Sequence, residues 1–225
     1  MLDALIFDFD GVIVDTEPLH YRAFQSVLGP AGLGYSWEQY VDHYMGFDDR
    51  DAFTESFRGV KRTLSDNDLN TLILQKAAAF QEIIASGVAA YPGVVELIRE
   101  AAGTVPLALC SGALPSDISP ILGQLGLEHA FDVIVTAADV AASKPDPASY
   151  ILAVDRLANF YPGKTIRPQH CLAIEDTPAG ISSATGAGMA VLGVTNSYPA
   201  STLAGALLIV DSLCDLTLER LKVLL

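Results

Sequence analysis

Six short apolar runs punctuate this chain, and each stops on polar or small residues. Leu5-Ile6-Phe7 runs into Asp8. Val105 to Cys110 runs into Ser111-Gly112. Phe131 to Thr136, Cys171 to Ile174, Met189 to Val194 and Leu207 to Val210 follow. From Tyr91 onward the runs alternate with helical patterns: about Gly93–Ala102, Pro115–Leu125, Asp146–Ala158, Pro178–Ala187 and a closing stretch near Leu213–Leu224. Short runs without polar alternation are strands covered on both faces. Strand, helix and strand in repetition predict an α/β fold with a doubly wound parallel sheet and right-handed crossovers. In such sheets ligands bind beyond the carboxyl ends of the strands, which is where the polar residues fall.

Between Asp15 and about Gly87 the texture changes. Leu19, Ala23, Phe24 and Val27 follow helical spacing, closed by Gly29-Pro30. Ser36 is a candidate cap for a helix with Trp37, Tyr40, Val41 and Tyr44. Asp48 or Asp49 is one for a helix with Ala52, Phe53 and Phe57. Asp66 precedes a long pattern from Leu69 to Ile84, closed by Gly87. Residues 15–88 therefore read as a four-helix insert, with residues 1–14 and 89–225 forming the sheet domain.

Four polar segments then converge on one crevice: Asp8-Phe9-Asp10-Gly11, Ser111-Gly112, Ser143-Lys144-Pro145-Asp146-Pro147, and Glu175-Asp176-Thr177-Pro178-Ala179-Gly180. Two carboxylates near a buried strand end repel unless a cation or proton intervenes, and Gly11 permits a sharp turn close to a ligand. Phosphoryl transfer through a carboxylate nucleophile fits this set. It needs neutralised equatorial oxygens and an in-line approach. Asp8 would attack phosphorus. Lys144 would supply a fixed positive charge. Ser111 and the amides near Gly11 and Gly112 would donate to the phosphate. Glu175, Asp176 and Asp8, with Asp10, are hard oxygen ligands suited to Mg2+. Asp10 would protonate the leaving oxygen and then deprotonate water.

The chain has 225 residues, 27 acidic and 13 basic, for a net charge of −14. That balance argues against nucleic acid and anionic membranes as partners but admits a small anionic substrate. Hydrophobic content of 51% is that of a globular protein. Cys110, Cys171 and Cys214 match no zinc spacing and read as reduced thiols. No leader peptide or spanning run stands out. A cytoplasmic enzyme, monomeric or a small homo-oligomer, is the expectation.

The ordered motifs resemble the haloacid dehalogenase-like superfamily, in its branch of phosphoglycolate phosphatases, sugar-phosphate phosphatases and β-phosphoglucomutase. Phe7-Asp8-Phe9-Asp10-Gly11-Val12-Ile13-Val14-Asp15-Thr16-Glu17 is similar to the first motif. Ser111 is similar to the second, Lys144-Pro145-Asp146-Pro147 to the third and Glu175-Asp176-Thr177 to the fourth. The resemblance implies a Rossmann-like core with a mobile helical cap. It also implies an Mg2+-dependent enzyme with Asp8 as nucleophile and Asp10, which the dehalogenases lack, as acid/base. The substrate would be a small phosphorylated metabolite, a sugar phosphate in the leading reading. The alternative is a phosphomutase that hands the phosphoryl group to a second sugar hydroxyl. A phospho-receiver or binding module is disfavoured by the insert and by a nucleophile as early as residue 8.

In the insert, His20 matches a His of the mutases, though an ordinary amphipathic histidine fits equally. Arg50, in Gly46-Phe47-Asp48-Asp49-Arg50-Asp51, is similar to a substrate-reading loop but is displaced from its Gly. Lys76 is similar to a substrate-binding cap lysine, with a solvated lysine as the plain reading. Trp37, Tyr40, Tyr44 and Phe47 are read as cap core, not a ligand stack.

Overall fold

The computed structural model describes residues 2–45, 47 and 49–225. Two compact units emerge, residues 1–15 with 89–225 and residues 16–88.

In the first unit, six parallel strands form one sheet. They are β1 (Ala4–Phe7), β2 (Leu107–Cys110), β3 (Val133–Val135), β4 (Cys171–Glu175), β5 (Ala190–Val194) and β6 (Leu208–Val210). Their spatial order is β3-β2-β1-β4-β5-β6. The order therefore reverses between β1 and β4, and a doubly wound sheet opens its ligand crevice at such a reversal. The register sets Phe7 beside Ile174, and the Asp8 amide donates to the Ile174 carbonyl at 3.0 Å. Asp8 and Glu175 thus leave the sheet side by side.

The apolar runs are continuous because both sheet faces are covered. Ala4, Ile6, Ala108, Cys110, Cys171 and Ala173 share one core with Tyr150, Ala153, Val154 and Leu157 of α7 (Ala148–Phe160) and Ile181 and Ala184 of α8 (Pro178–Gly186). Leu5, Phe7, Leu107 and Leu109 alternate to the other face and are also fully buried. The remaining helices of this unit are α5 (Val94–Ala101), α6 (Pro115–Gln124) and α9 (Leu218–Lys222). The expected closing helix from Leu213 is shorter. Thr217 caps α9 by accepting from the Arg220 amide. Just before it, the Ser212 hydroxyl accepts from the Cys214 amide. The backbone of Leu213 and Cys214 also lies so close to Gly93 that a Cβ there would overlap it.

In the second unit, α1 (Glu17–Leu28), α2 (Trp37–Gln39), α3 (Asp49–Gly59) and α4 (Asp66–Ala85) enclose a separate core of Phe24, Leu28, Tyr40, Phe53, Phe57 and Leu69. Ser36 closes a reciprocal capping box with Gln39. The helix expected through Tyr44 instead passes into a π-turn over Tyr40–Tyr44. Tyr40 is core, whereas Trp37 and Phe47 are 40% and 44% exposed. Ser65, one residue before Asp66, caps α4. Gly46 and Asp48, part of the expected substrate loop and one of its candidate caps, lie outside the described residues.

The chain leaves and re-enters the sheet unit at one place. Val14 bridges Ala90 in antiparallel fashion, and the Tyr91 amide donates to Ile13.

Candidate active site

Asp8 stands at the end of β1, nearly buried. Its Oδ1 accepts from Lys144 Nζ at 2.7 Å. The same ammonium donates to Glu175 Oε1 at 2.6 Å and to the Cys110 carbonyl at 3.1 Å. All three N–H bonds of Lys144 are thereby spent on the ends of β1, β4 and β2. Burial works against its charge, but the Asp8 and Glu175 carboxylates outweigh burial and hold its pKa above the ordinary lysine range. Lys144 is therefore a permanent cation.

Asp8, Glu175 and Asp176 bring carboxylate oxygens within 4.8 Å of one another, all buried. Burial, then the neighbouring Glu175, pushes the Asp8 carboxyl well up, with Lys144 opposing. Burial and Glu175 likewise push Asp176 up to about 7. Three carboxylates share one ammonium, so either protons or a divalent cation must settle the excess charge. Asp176 Oδ1 is buried with no hydrogen-bond partner. An orphaned buried oxygen beside Asp8 suits a hard metal ligand set. The residues present fit Mg2+.

The turn after β1 is built to meet Asp176. Gly11 has φ +80°, and a Cβ there would overlap the Asp176 carboxylate and crowd Ser197 Oγ at 2.8 Å. Only glycine satisfies both demands at low cost. Asn196 Nδ2 donates to the Gly11 carbonyl at 2.7 Å, and a Ser197 hydrogen bond draws the Asp176 pKa down against burial. Asp10 lies half-buried in this turn and is not one of the three clustered carboxylates. Ser111 is buried, and its Oγ accepts from the Ala113 amide at 2.9 Å. That leaves its own O–H as a donor. A Cβ on Gly112 would meet open space.

Further residues support this site. Tyr150 donates to Glu175 Oε1 at 2.8 Å. Thr177 donates to Glu175 Oε2 at 3.2 Å and accepts from the Gly180 amide at 2.9 Å. Thr177 belongs to the fourth motif, and its Thr-Pro pair after an apolar strand is also an N-cap signal; Tyr150 lies outside the motifs. Asn196 and Ser197 offered only their position after a strand.

Within the helical unit, His20 and Lys76 meet. Lys76 is 4% exposed. Its Nζ lies 2.9 Å from His20 Nδ1 and 2.7 Å from Asp49 Oδ1. It also sits over the rings of Phe24 and Phe80, at 4.9 and 5.3 Å. His20 stacks on Phe80 with ring centroids 4.3 Å apart. Burial, then the Lys76 charge, lowers the His20 pKa well below its usual value, so His20 is neutral at pH 7 and accepts at Nδ1. Arg50 is not part of this group. It reaches Asn70 Oδ1 at 3.4 Å and lines a groove of about 680 Å³ with Arg58, Lys61 and Arg62.

Comparison with known proteins agrees with this geometry. The family described as haloacid dehalogenase-like hydrolase matches residues 5–194. The chain belongs to that family. Fructose-1-phosphate phosphatase YqaB of Escherichia coli is 30% identical over 185 residues, covering 82% of this chain and 92% of its own. Beta-phosphoglucomutase of Bacillus subtilis is 29% identical, covering 98% and 94%. The crystal structure of a CbbY mutant from Rhodobacter sphaeroides, in complex with xylulose-(1,5)bisphosphate, superposes with a TM-score of 0.86. It is 26% identical and covers 99% of this chain and 100% of that one. The family match and the relatives named as phosphatases are those of a hydrolase of phosphoric monoesters. Among the described residues, no helix is long and apolar enough to cross a membrane.

Proposed function

We propose that this hydrolase is an Mg2+-dependent phosphatase of a small phosphorylated metabolite, a sugar phosphate, working through an aspartyl phosphate at Asp8. The observation that carries the reading is the Lys144 ammonium, fixed at 2.7 Å from Asp8 and 2.6 Å from Glu175 in a buried site. A nucleophilic carboxylate loses its negative charge to the bond it forms. A cation held beside it steadies the incoming phosphoryl oxygens throughout. The fructose-1-phosphate phosphatase relative and the CbbY structure in complex with a sugar bisphosphate support the substrate class.

In the first half-reaction an Asp8 oxygen attacks phosphorus and the bond to the leaving oxygen breaks. Asp10 gives that oxygen its proton. In the second half Asp10 takes a proton from water, the water oxygen bonds to phosphorus, and the bond to Asp8 breaks, releasing inorganic phosphate. Ser111 Oγ and the amide of Gly112 donate to the phosphoryl oxygens. Asp8, Asp176, the Asp10 carbonyl and Glu175 are the candidate ligands of Mg2+. When bound, the ion neutralises phosphate charge and relieves repulsion between the carboxylates.

The second reading, a phosphomutase, is favoured by the match to beta-phosphoglucomutase across 98% of the chain. A panel of sugar monophosphates separates the two. Fast release of free phosphate from one member supports hydrolysis. Isomerisation stimulated by a sugar bisphosphate, with little phosphate released, overturns it.

A further inference from the structure

Glu175 is completely buried, yet the reaction above gives it no step of its own. Its hydrogen bonds show what holds it. Oε2 faces the Asp176 and Thr177 amides, at 3.2 and 3.4 Å, and the Thr177 hydroxyl. Oε1 faces Lys144 Nζ at 2.6 Å and the Tyr150 hydroxyl at 2.8 Å. The Oε2 donors are all local to the turn after β4. The Oε1 donors both come from the segment that carries Lys144, since α7 begins four residues after it. Tyr150 is fully buried, and its ring also lies against the Lys144 ammonium, 5.1 Å from Nζ to centroid. One side chain therefore touches both partners of the Lys144–Glu175 pair.

We propose that Tyr150 is a positioning residue for Lys144, acting through Glu175. This deepens the reading of Asp8 as nucleophile and rests on it. The Tyr150 hydroxyl occupies one lone pair of Glu175 Oε1 and turns that oxygen toward α7. Lys144 then meets Glu175 as one of two donors and keeps a full hydrogen bond for Asp8. Without the hydroxyl, Oε1 has Lys144 alone. The ammonium is drawn toward Glu175 and away from Asp8, where the phosphoryl charge arrives. The ring supplies packing and a favourable face to the cation. The hydroxyl alone supplies the orientation, so the two contributions separate in Tyr150→Phe.

The test compares wild type, Tyr150→Phe and Asp8→Asn in saturating Mg2+. Turnover is read on the best sugar phosphate of the panel, and the affinity for trifluoroberyllate, an acyl-phosphate mimic that needs no substrate, by calorimetry. Tyr150→Phe is expected to lower kcat about tenfold, the usual worth of one hydrogen bond to a charged group. KM stays within twofold, and trifluoroberyllate binds at least fivefold more weakly. Wild-type kcat and trifluoroberyllate affinity in Tyr150→Phe overturn the proposal and reduce Tyr150 to packing. A wild type that binds trifluoroberyllate no better than Asp8→Asn contradicts the nucleophile itself. It also removes the Lys144 role that Tyr150 serves.

Discussion

Gly180→Ala sets helix propensity against the geometry of the site. Gly180 lies in the first turn of α8, and its φ is not in the left-handed region. On propensity alone, alanine there gains about 0.5–1 kcal/mol. The structure reverses that sign. A Cβ at residue 180 would overlap the Cδ and both carboxylate oxygens of Glu175. Glu175 is fully buried and held by Lys144, Tyr150 and Thr177, so it cannot swing into solvent. Overpacking costs about 1–3 kcal/mol, and disrupting a buried ion pair on the order of 3–5 kcal/mol. With partial relaxation the net loss is about 3 kcal/mol, a fall in Tm on the order of 5–10 °C for a chain of this size. Displacing Glu175 also displaces Lys144 from Asp8, and a misplacement of about 1 Å lowers kcat on the order of 100-fold. Calorimetric melting and turnover on the panel substrate test both numbers. A variant that melts at or above wild type with kcat within twofold refutes the account of Glu175.

Asp176→Asn should flatten a pH dependence. The folded carboxyl sits near 7 against an ordinary 3.8, so the folded state binds the proton more tightly. In EDTA the protein should lose stability as pH rises from about 4 through 7, and the loss should shrink in Asp176→Asn. Added Mg2+ should raise Tm more at pH 8 than at pH 5; an equal rise at both would count against a metal at this carboxylate. Asp49→Ala strips the buried Lys76 of its anion. It should destabilise the protein by about 1–3 kcal/mol, because Asp49 itself is partly exposed. Lys76→Met should cost less, and equal melting shifts would show that the Lys76 charge is not the cause. Asp10→Asn should slow both formation and breakdown of the intermediate, as read by rapid quench; a change in one phase alone contradicts its double role.

Legibility in the sequence followed the range of the interaction. Strand runs were visible because both faces of the sheet are buried, so Leu5-Ile6-Phe7 and Cys171-Leu172-Ala173-Ile174 carry no polar residue. The polar ends stood out by contrast, and Asp8, Glu175 and Asp176 were readable because charge seldom ends a buried strand without a partner, whereas Lys144 was readable from its Pro-Asp-Pro loop. Tyr150 was hidden. On a core-facing helix it reads as another large apolar residue, and its bond to Glu175 spans 25 positions. Lys76 was ambiguous for a similar reason, since Asp49 lies 27 positions away. The start of α9 was misread because Leu213 and Leu216 stand at the i, i+3 spacing of a helix, while the cap, Thr217, comes only after them.

The account stands on Asp8 as the atom donor to phosphorus. Mixing the protein with its panel substrate in Mg2+, quenching in acid and reducing with borohydride converts an aspartyl phosphate to homoserine, which peptide mass spectrometry locates. The account predicts homoserine at residue 8 in wild type and none in Asp8→Asn, which should also release no phosphate. A phosphoryl group trapped on Ser111, or phosphate released by Asp8→Asn at the wild-type rate, would contradict it.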